Sequence, residues 1–210
     1  MTRNLQIKAL FLKHFKGAKS ELKFSNAYEL IVCVMLSAQC TDKRVNLITP
    51  ALFKAYPSVA ALSKANLASL KTLIQSCSFF NNKAENLVKM ARAVCEKFGG
   101  EIPLDAPSLR GLAGVGQKTA NVVLIEWCGA NVMAVDTHIF RVAHRLNLST
   151  AKTPELVEMD LTNIFKDNLN RLHQAMVLFG RYTCKAKNPL CENCFLAKLC
   201  ESKDKGVNFR

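Results

Sequence analysis

The chain has 210 residues, half of them hydrophobic, so it can bury a core as one large domain or two small ones and is too apolar to be disordered. Its 29 Lys and Arg face 16 Asp and Glu, a net charge of +13 that suits a polyanionic partner, because each neutralised phosphate releases counterions. The longest apolar run, Leu30 to Leu36, is far short of the roughly 20 residues a bilayer span needs. Lys8, Lys13 and His14 break up the N-terminus, which argues against a secretory signal. The expectation is a cytoplasmic protein with no membrane partner.

Along the chain, apolar residues recur at the helical period and nowhere alternate as strands do, so the class is all-α, in ten or so short helices. Tyr56-Pro57-Ser58 punctuates the early helices. Leu87, Met90, Ala91, Val94 and Cys95 make one face of a longer helix, with Asn82 and Glu85 capping its start and Gly99 ending it. Leu112 to Gly116 is the next break. Thr153-Pro154-Glu155 starts a helix with a capping hydroxyl and then Pro in the first turn; Leu156, Met159 and Ile164 follow on one side. Five cysteines (Cys33, Cys40, Cys77, Cys95 and Cys128) lie among apolar neighbours and read as buried small hydrophobes. The other four fall between Cys184 and Cys200, which points to a metal-bound coil in a reducing compartment.

Three segments carry chemistry. In Leu112-Ala113-Gly114-Val115-Gly116-Gln117-Lys118-Thr119-Ala120-Asn121, Gly114 and Gly116 let the backbone turn sharply and approach a ligand. The helix that follows opens with N–H groups that suit a phosphate, although a bare Gly-Val-Gly also reads as an ordinary helix–helix turn. In Val135-Asp136-Thr137-His138-Ile139-Phe140-Arg141-Val142, Asp136 stands at an N-cap position. A cap and a catalytic carboxylate are compatible, since backbone donors hold the group in one place. In Cys184-x6-Cys191-x2-Cys194-x5-Cys200 four thiolates hold metal. Zinc sites pair two short Cys-x2–4-Cys knuckles and this spacing does not; both ferredoxin spacings differ as well.

Together these segments resemble the endonuclease III family, the bifunctional branch of the helix-hairpin-helix DNA glycosylases. Leu36-Ser37-Ala38-Gln39-Cys40-Thr41-Asp42 is similar to the family's lesion-side loop, and Asn81 to Asn86 follows where expected. The hairpin with Lys118, the Val135 to Val142 segment and Gly180-Arg181-Tyr182-Thr183-Cys184 come next in order, so the resemblance runs from about Leu22 to Glu201. There are departures. Ala113 stands in place of the hairpin's usual Pro, which implies some lost affinity and an intact fold. Ser78-Phe79-Phe80 stands where the family often has a Leu wedge between Gly and Tyr, and Arg110 where an acidic residue is common.

The resemblance implies two domains: a six-helix barrel with the helix-hairpin-helix over 20–130, and a second helical domain from 1–19 and 131–210 with a [4Fe-4S] cluster loop. The second domain carries +9 and the barrel +4 of the total charge. Cys184, Cys191, Cys194 and Cys200 would bind the cluster. Lys118 would be the nucleophile, and Asp136 would stabilise the developing sugar cation. Gln39, Phe79 and His138 would lie near a flipped nucleotide, with Gly114, Gly116, Lys185 and Lys187 on phosphates. The implied partner is double-stranded DNA containing damaged bases or abasic sites, bound by a monomer, at the nucleoid if bacterial. The implied activity is removal of oxidised pyrimidines with nicking 3′ to the abasic site. An adenine or mismatch glycosylase of the same superfamily is the nearest alternative, but it usually lacks the hairpin Lys; the adenine enzyme also has a further C-terminal domain, whereas this chain stops ten residues after Cys200. A non-catalytic DNA-binding iron–sulfur protein is the alternative from another class.

Overall fold

The computed structural model describes residues 1–203; the last residues of the expected second domain, 204–210, lie outside the described residues. Among the described residues the structure is helical without strands: α1 (Arg3–His14), α2 (Ala27–Ser37), α3 (Asp42–Ala55), α4 (Val59–Ser63), α5 (Leu67–Ile74), α6 (Phe80–Phe98), α7 (Ala106–Arg110), α8 (Gln117–Cys128), α9 (Thr137–Arg145), α10 (Pro154–Phe165) and α11 (Leu169–Tyr182). They divide into two compact units, Ser20–Cys128 and a discontinuous one of Met1–Lys19 with Gly129–Arg210. None of the helices is long and apolar enough to cross a membrane.

The continuous unit is built around α2. Its apolar run from Leu30 to Leu36 is buried on every side, and a helix hydrophobic all round needs neighbours all round. α3, α6 and α8 supply them; α4 and α5 pack on α6, and α7 on α8. Most starts are capped by a short polar side chain: Asn26, Thr41, Ser58, Asn66 and Asp105 each accept from a backbone N–H three residues on. α6 differs from the sequence reading. It begins at Phe80, behind a left-handed Phe79 that makes no side-chain cap, so Asn82 and Glu85 lie inside the helix; Glu85 pairs instead with Lys71 at 3.4 Å. Gly99 does end it, in the left-handed region at φ 60°.

In the discontinuous unit, Ile7 and Phe11 of α1 are fully buried among Ile139 and Val142 of α9, Val157, Leu161 and Phe165 of α10, and Leu172, Met176 and Phe179 of α11. Each such side chain contributes roughly 1.5–3 kcal/mol relative to exposure. Phe11, Phe179 and Phe195 meet edge to face at 5.2–5.7 Å, which ties α1 and α11 to the coil after them. Lys8 is buried, with its ammonium donating to the Phe165 carbonyl at 2.9 Å and to Asp167 at 2.7 Å. Thr153 caps α10 with Pro154 next, as the sequence indicates, but the buried stripe is Val157–Leu161–Phe165. Leu156 and Met159, which follow on one side of the helix, are 48% and 59% exposed. Among the scattered cysteines, Cys33 and Cys77 are buried, Cys40 and Cys95 half-buried, and Cys128 is exposed, which corrects the reading of all five as core.

A half-buried acid, Glu126, lies near the end of α8. Burial pushes the Glu126 carboxyl up to about 7, opposed by a hydrogen bond from the Ser20 backbone and reinforced by Asp42. A folded pKa above the unfolded value of 4.5 means that the folded state prefers the proton. Stability is therefore full below about pH 4.5 and falls as pH rises to about 7, by up to about 3 kcal/mol. Glu126→Gln keeps an acceptor for Ser20 and removes the charge. It should raise stability at pH 8 by about 1–3 kcal/mol and change little at pH 5. Urea midpoints at the two pH values check this; an equal effect at both would rule out the titration.

Candidate functional site

The hairpin turn runs from α7 to α8. The Gly111 N–H donates to the Pro107 carbonyl, Val115 to Leu112, and Ala120 to Gly116, so the Gly116 carbonyl accepts the first bond of α8. The two glycines do different things. Gly114 is left-handed at φ 76°, and a Cβ there would lie 2.9 Å from the Asn86 Cβ and 3.0 Å from the Met35 Cε. Gly116 has an ordinary φ, and a Cβ there would meet nothing within 4 Å. Gly114 therefore serves the fold, whereas Gly116 leaves open space beside the N-terminal end of α8, where a phosphate can approach the backbone. Lys118, the second residue of α8, is exposed. Arg110 now has a role: its guanidinium donates to Gln117 Oε1 at 3.1 Å, and Gln117 in turn donates to Asn121 at 2.9 Å, tying the end of α7 to the first turn of α8.

Gln39 and Phe79 lie in the same unit as the hairpin. Both are exposed and left-handed, with φ 52° and 56°, a backbone that bulky L-residues seldom adopt. Phe79 is 62% exposed, while Phe80 begins α6 half-buried, so of the two Phe79 is the one open to a ligand. A residue that sequence reasoning passed over holds the Gln39 loop. Lys83 is buried and donates from Nζ to the carbonyls of Leu36 and Ala38, at 2.8 and 2.7 Å, at the C-terminal end of α2. Burial lowers the pKa of its ammonium, while Cys77 and Cys40 nearby act in the opposite sense. Nothing local in the sequence signals this bond, because its partners are far away along the chain.

In the discontinuous unit, Asp136 is the N-cap of α9, and its Oδ1 accepts the Ile139 N–H at 2.8 Å. His138 follows in the same turn, half-buried, with Nδ1 3.3 Å from the Arg141 guanidinium. A Cβ on Gly180 of α11 would lie 2.8 Å from the His138 Cβ, so α9 and α11 touch there. Asp136 and His138 thus share one turn of one unit; Lys118, Gln39, Phe79, Gly114 and Gly116 belong to the other.

Cys184, Cys191, Cys194 and Cys200 line a single cavity of about 50 Å³, together with Arg145 and the apolar Phe179, Pro189, Leu190 and Leu196. Four thiols that ring one cavity fit an iron–sulfur cluster, whose ligands are cysteine thiolates. Burial raises the pKa of the Cys184 thiol, and Arg145, donating to its Sγ at 3.5 Å, favours the thiolate that a cluster ligand must be. Two arginines of α9, not singled out from the sequence, hold the start of this loop. Arg141 donates to the carbonyls of Gly180 and Cys184 at 2.7 and 3.0 Å, and Arg145 to that of Lys185 at 2.6 Å. Lys185 is half-buried and Lys187 exposed.

Comparison with known proteins agrees with this geometry. Residues 32–167 match the HhH-GPD superfamily of base-excision DNA repair proteins, and residues 184–200 match the iron-sulfur binding domain of endonuclease III. The chain is 40% identical over 205 residues to endonuclease III of Haemophilus influenzae, covering 97% of each protein. It is 42% identical to endonuclease III of Escherichia coli K12, covering 89% of each. Its fold is similar to that in a trapped endonuclease III–DNA covalent intermediate, with a TM-score of 0.90 at 39% identity over 96% of this chain and 97% of that one.

The two hairpin glycines should separate by mutation. Gly114→Ala forces a side chain into the left-handed region and against Asn86, and should destabilise by about 2–4 kcal/mol. Gly116→Ala should stay within about 0.5 kcal/mol of the wild type. Chemical unfolding of both variants checks the pair; equal losses would mean that the hairpin does not distinguish the two positions.

Proposed function

This chain belongs to the endonuclease III family of helix-hairpin-helix base-excision DNA repair proteins, and from that premise we propose which of its residues act and how. It is a DNA glycosylase with AP lyase activity and a [4Fe-4S] cluster. The observation that carries the assignment of roles is Lys118, an exposed amine in the first turn of the helix that leaves the hairpin.

The substrate is duplex DNA carrying an oxidised pyrimidine or an abasic site. C1′ of a stacked nucleotide is out of reach, so the nucleotide is turned out of the helix, with Gln39 and Phe79 filling the gap and His138 near the extruded residue. The lone pair of Lys118 Nζ forms a bond to C1′ as the N-glycosidic bond breaks, and the base departs with the bonding electrons and a proton. Positive charge grows on the sugar in that step. A carboxylate already fixed by a backbone N–H, as Asp136 is, balances the charge without reorganising. The C1′–O4′ bond then breaks, O4′ takes up a proton and the ring opens to an iminium on Lys118; this acidifies the 2′ position, and loss of a 2′ proton expels the 3′ phosphate by β-elimination and nicks the strand. Gly114 shapes the turn that presents the hairpin to DNA, Gly116 lets its backbone approach a phosphate, and Lys185 and Lys187 add phosphate contacts from the cluster loop. Cys184, Cys191, Cys194 and Cys200 would hold the cluster, which would cross-link that loop. The enzyme acts as a monomer in the cytoplasm, at the nucleoid in a bacterium.

Borohydride reduces a Schiff base to a stable amine, so the wild type should cross-link to lesion-bearing duplex. Lys118→Gln should bind the duplex but give neither adduct nor nick, and an adduct from this variant would move the nucleophile elsewhere. Asp136→Asn should release a damaged base about 100-fold more slowly or worse, yet keep more of its activity on a preformed abasic site, where no base has to leave.

Affinity should fall steeply with salt. Lys185→Ala with Lys187→Ala should lower the log–log salt slope by about 1–2 and leave lesion preference unchanged. An unchanged slope would take the cluster loop off the DNA.

A further inference from the structure

Cys40 and Cys77 sit on two different loops of the continuous unit, and their Sγ atoms lie 3.6 Å apart, the Cys40 thiol donating to Cys77. Both are free thiols. Cys40 directly follows the left-handed Gln39, and Cys77 comes two residues before the left-handed Phe79. A disulfide needs the sulfurs at about 2.05 Å, so the pair has to close by about 1.5 Å, within reach of modest side-chain rotation.

The surroundings divide the two thiols by role. Cys40 is half-buried and reachable, whereas Cys77 is buried. Burial pushes the Cys77 thiol up to about 11, its contact with Cys40 adds to this, and Lys83 and Arg44 work against it. Cys77 is therefore a poor first nucleophile. The reachable Cys40, with the Lys83 ammonium close by, is the thiol that meets a small oxidant first, and Cys77 is already in hydrogen-bond contact to resolve the product. Neither residue has a part in the proposed chemistry on DNA.

We propose that Cys40 and Cys77 form a peroxide-oxidisable dithiol whose disulfide fastens the Gln39 loop to the Phe79 turn. In the first step the Cys40 thiolate sulfur attacks a peroxide oxygen, the O–O bond breaks, and hydroxide leaves from a Cys40 sulfenic acid. In the second step the Cys77 sulfur displaces the oxygen from the Cys40 sulfur, and its proton leaves with that oxygen as water. Two thiols and one hydrogen peroxide give one disulfide and two waters; sulfur is oxidised and peroxide oxygen reduced. The consequence for activity rests on the function proposed above. Loops tied together rearrange less freely around an extruded nucleotide, so the oxidised enzyme is the slow form and a thiol reductant restores it.

The test treats the iron-loaded protein with a small excess of hydrogen peroxide and maps its peptides. A linked pair containing Cys40 and Cys77, about 2 Da lighter than the sum of the reduced peptides, is expected. It should disappear with dithiothreitol, be absent from Cys40→Ser and Cys77→Ser, and form while the visible absorbance of the cluster is unchanged. Cys40 recovered as sulfinic acid with no link, or loss of the cluster before any link forms, overturns the proposal. Nicking of an abasic duplex by the linked protein should be about tenfold slower and recover with reductant, while peroxide-treated Cys40→Ser keeps its untreated rate. A linked protein that nicks as fast as the reduced one overturns the fastening of the loops. If the reduced wild type does not nick, the functional reading fails while the linked peptide still stands.

Discussion

A coil as long as the one from Thr183 to Lys203 has peptide groups that no helical ladder satisfies, and arginine side chains meet four of its carbonyls. Arg141 and Arg145 of α9 reach the carbonyls of Gly180, Cys184, Lys185 and Ala186, and Arg3 of α1 reaches those of Leu146 and Leu199. A guanidinium suits this work because its five donors are fixed in one plane and its charge does not come off. Leaving one such carbonyl without a donor out of water costs about 1–3 kcal/mol. The same Arg145 also reaches the Cys184 sulfur, so the group that shapes the loop also bears on the ligand it presents. Asp136 heads this helix, which places the fixed carboxylate and the anchors of the cysteine loop on one short rigid element.

The continuous unit uses α6 in a comparable way. Phe79 stands at its N-cap, Lys83 holds the Gln39 loop by two carbonyls, and Asn86 closes on Gly114 of the hairpin. The spacing 79, 83 and 86 follows i, i+4 and i+7, so one face of one helix sets the positions of three segments far apart in sequence. The left-handed Phe79 fits that picture. α6 starts without a polar cap behind that residue, and the strain of roughly 1–3 kcal/mol is borne by the packing of the helix that follows.

What the sequence made legible was local. The spacing of the four cysteines, the Asp136 and Thr153 caps and the Gly99 stop all depend on residues within a few positions of one another, and the structure places each as read. The helical class follows from periodicity in the same way. What stayed hidden depends on partners distant in the chain. Leu156 and Met159 look like a core face until α10 is docked, when Val157, Leu161 and Phe165 turn inward instead. Lys8 and Lys83 are indistinguishable by type from surface lysines, yet each is buried against backbone carbonyls. Arg110 is explained only by Gln117 across a turn, and Cys40 only by Cys77 on another loop.

The discontinuity of one unit also orders the protein's birth. Residues 20–128 leave the ribosome as a complete set of partners and can fold while synthesis continues. α1 leaves earlier, but the groups that bury Ile7 and Phe11, and the Leu199 carbonyl that Arg3 binds, are made only after the continuous unit. At 5–20 residues per second the first helix waits roughly 10–40 s with its apolar side uncovered. The unit that encloses the cysteine cavity therefore closes after the continuous one.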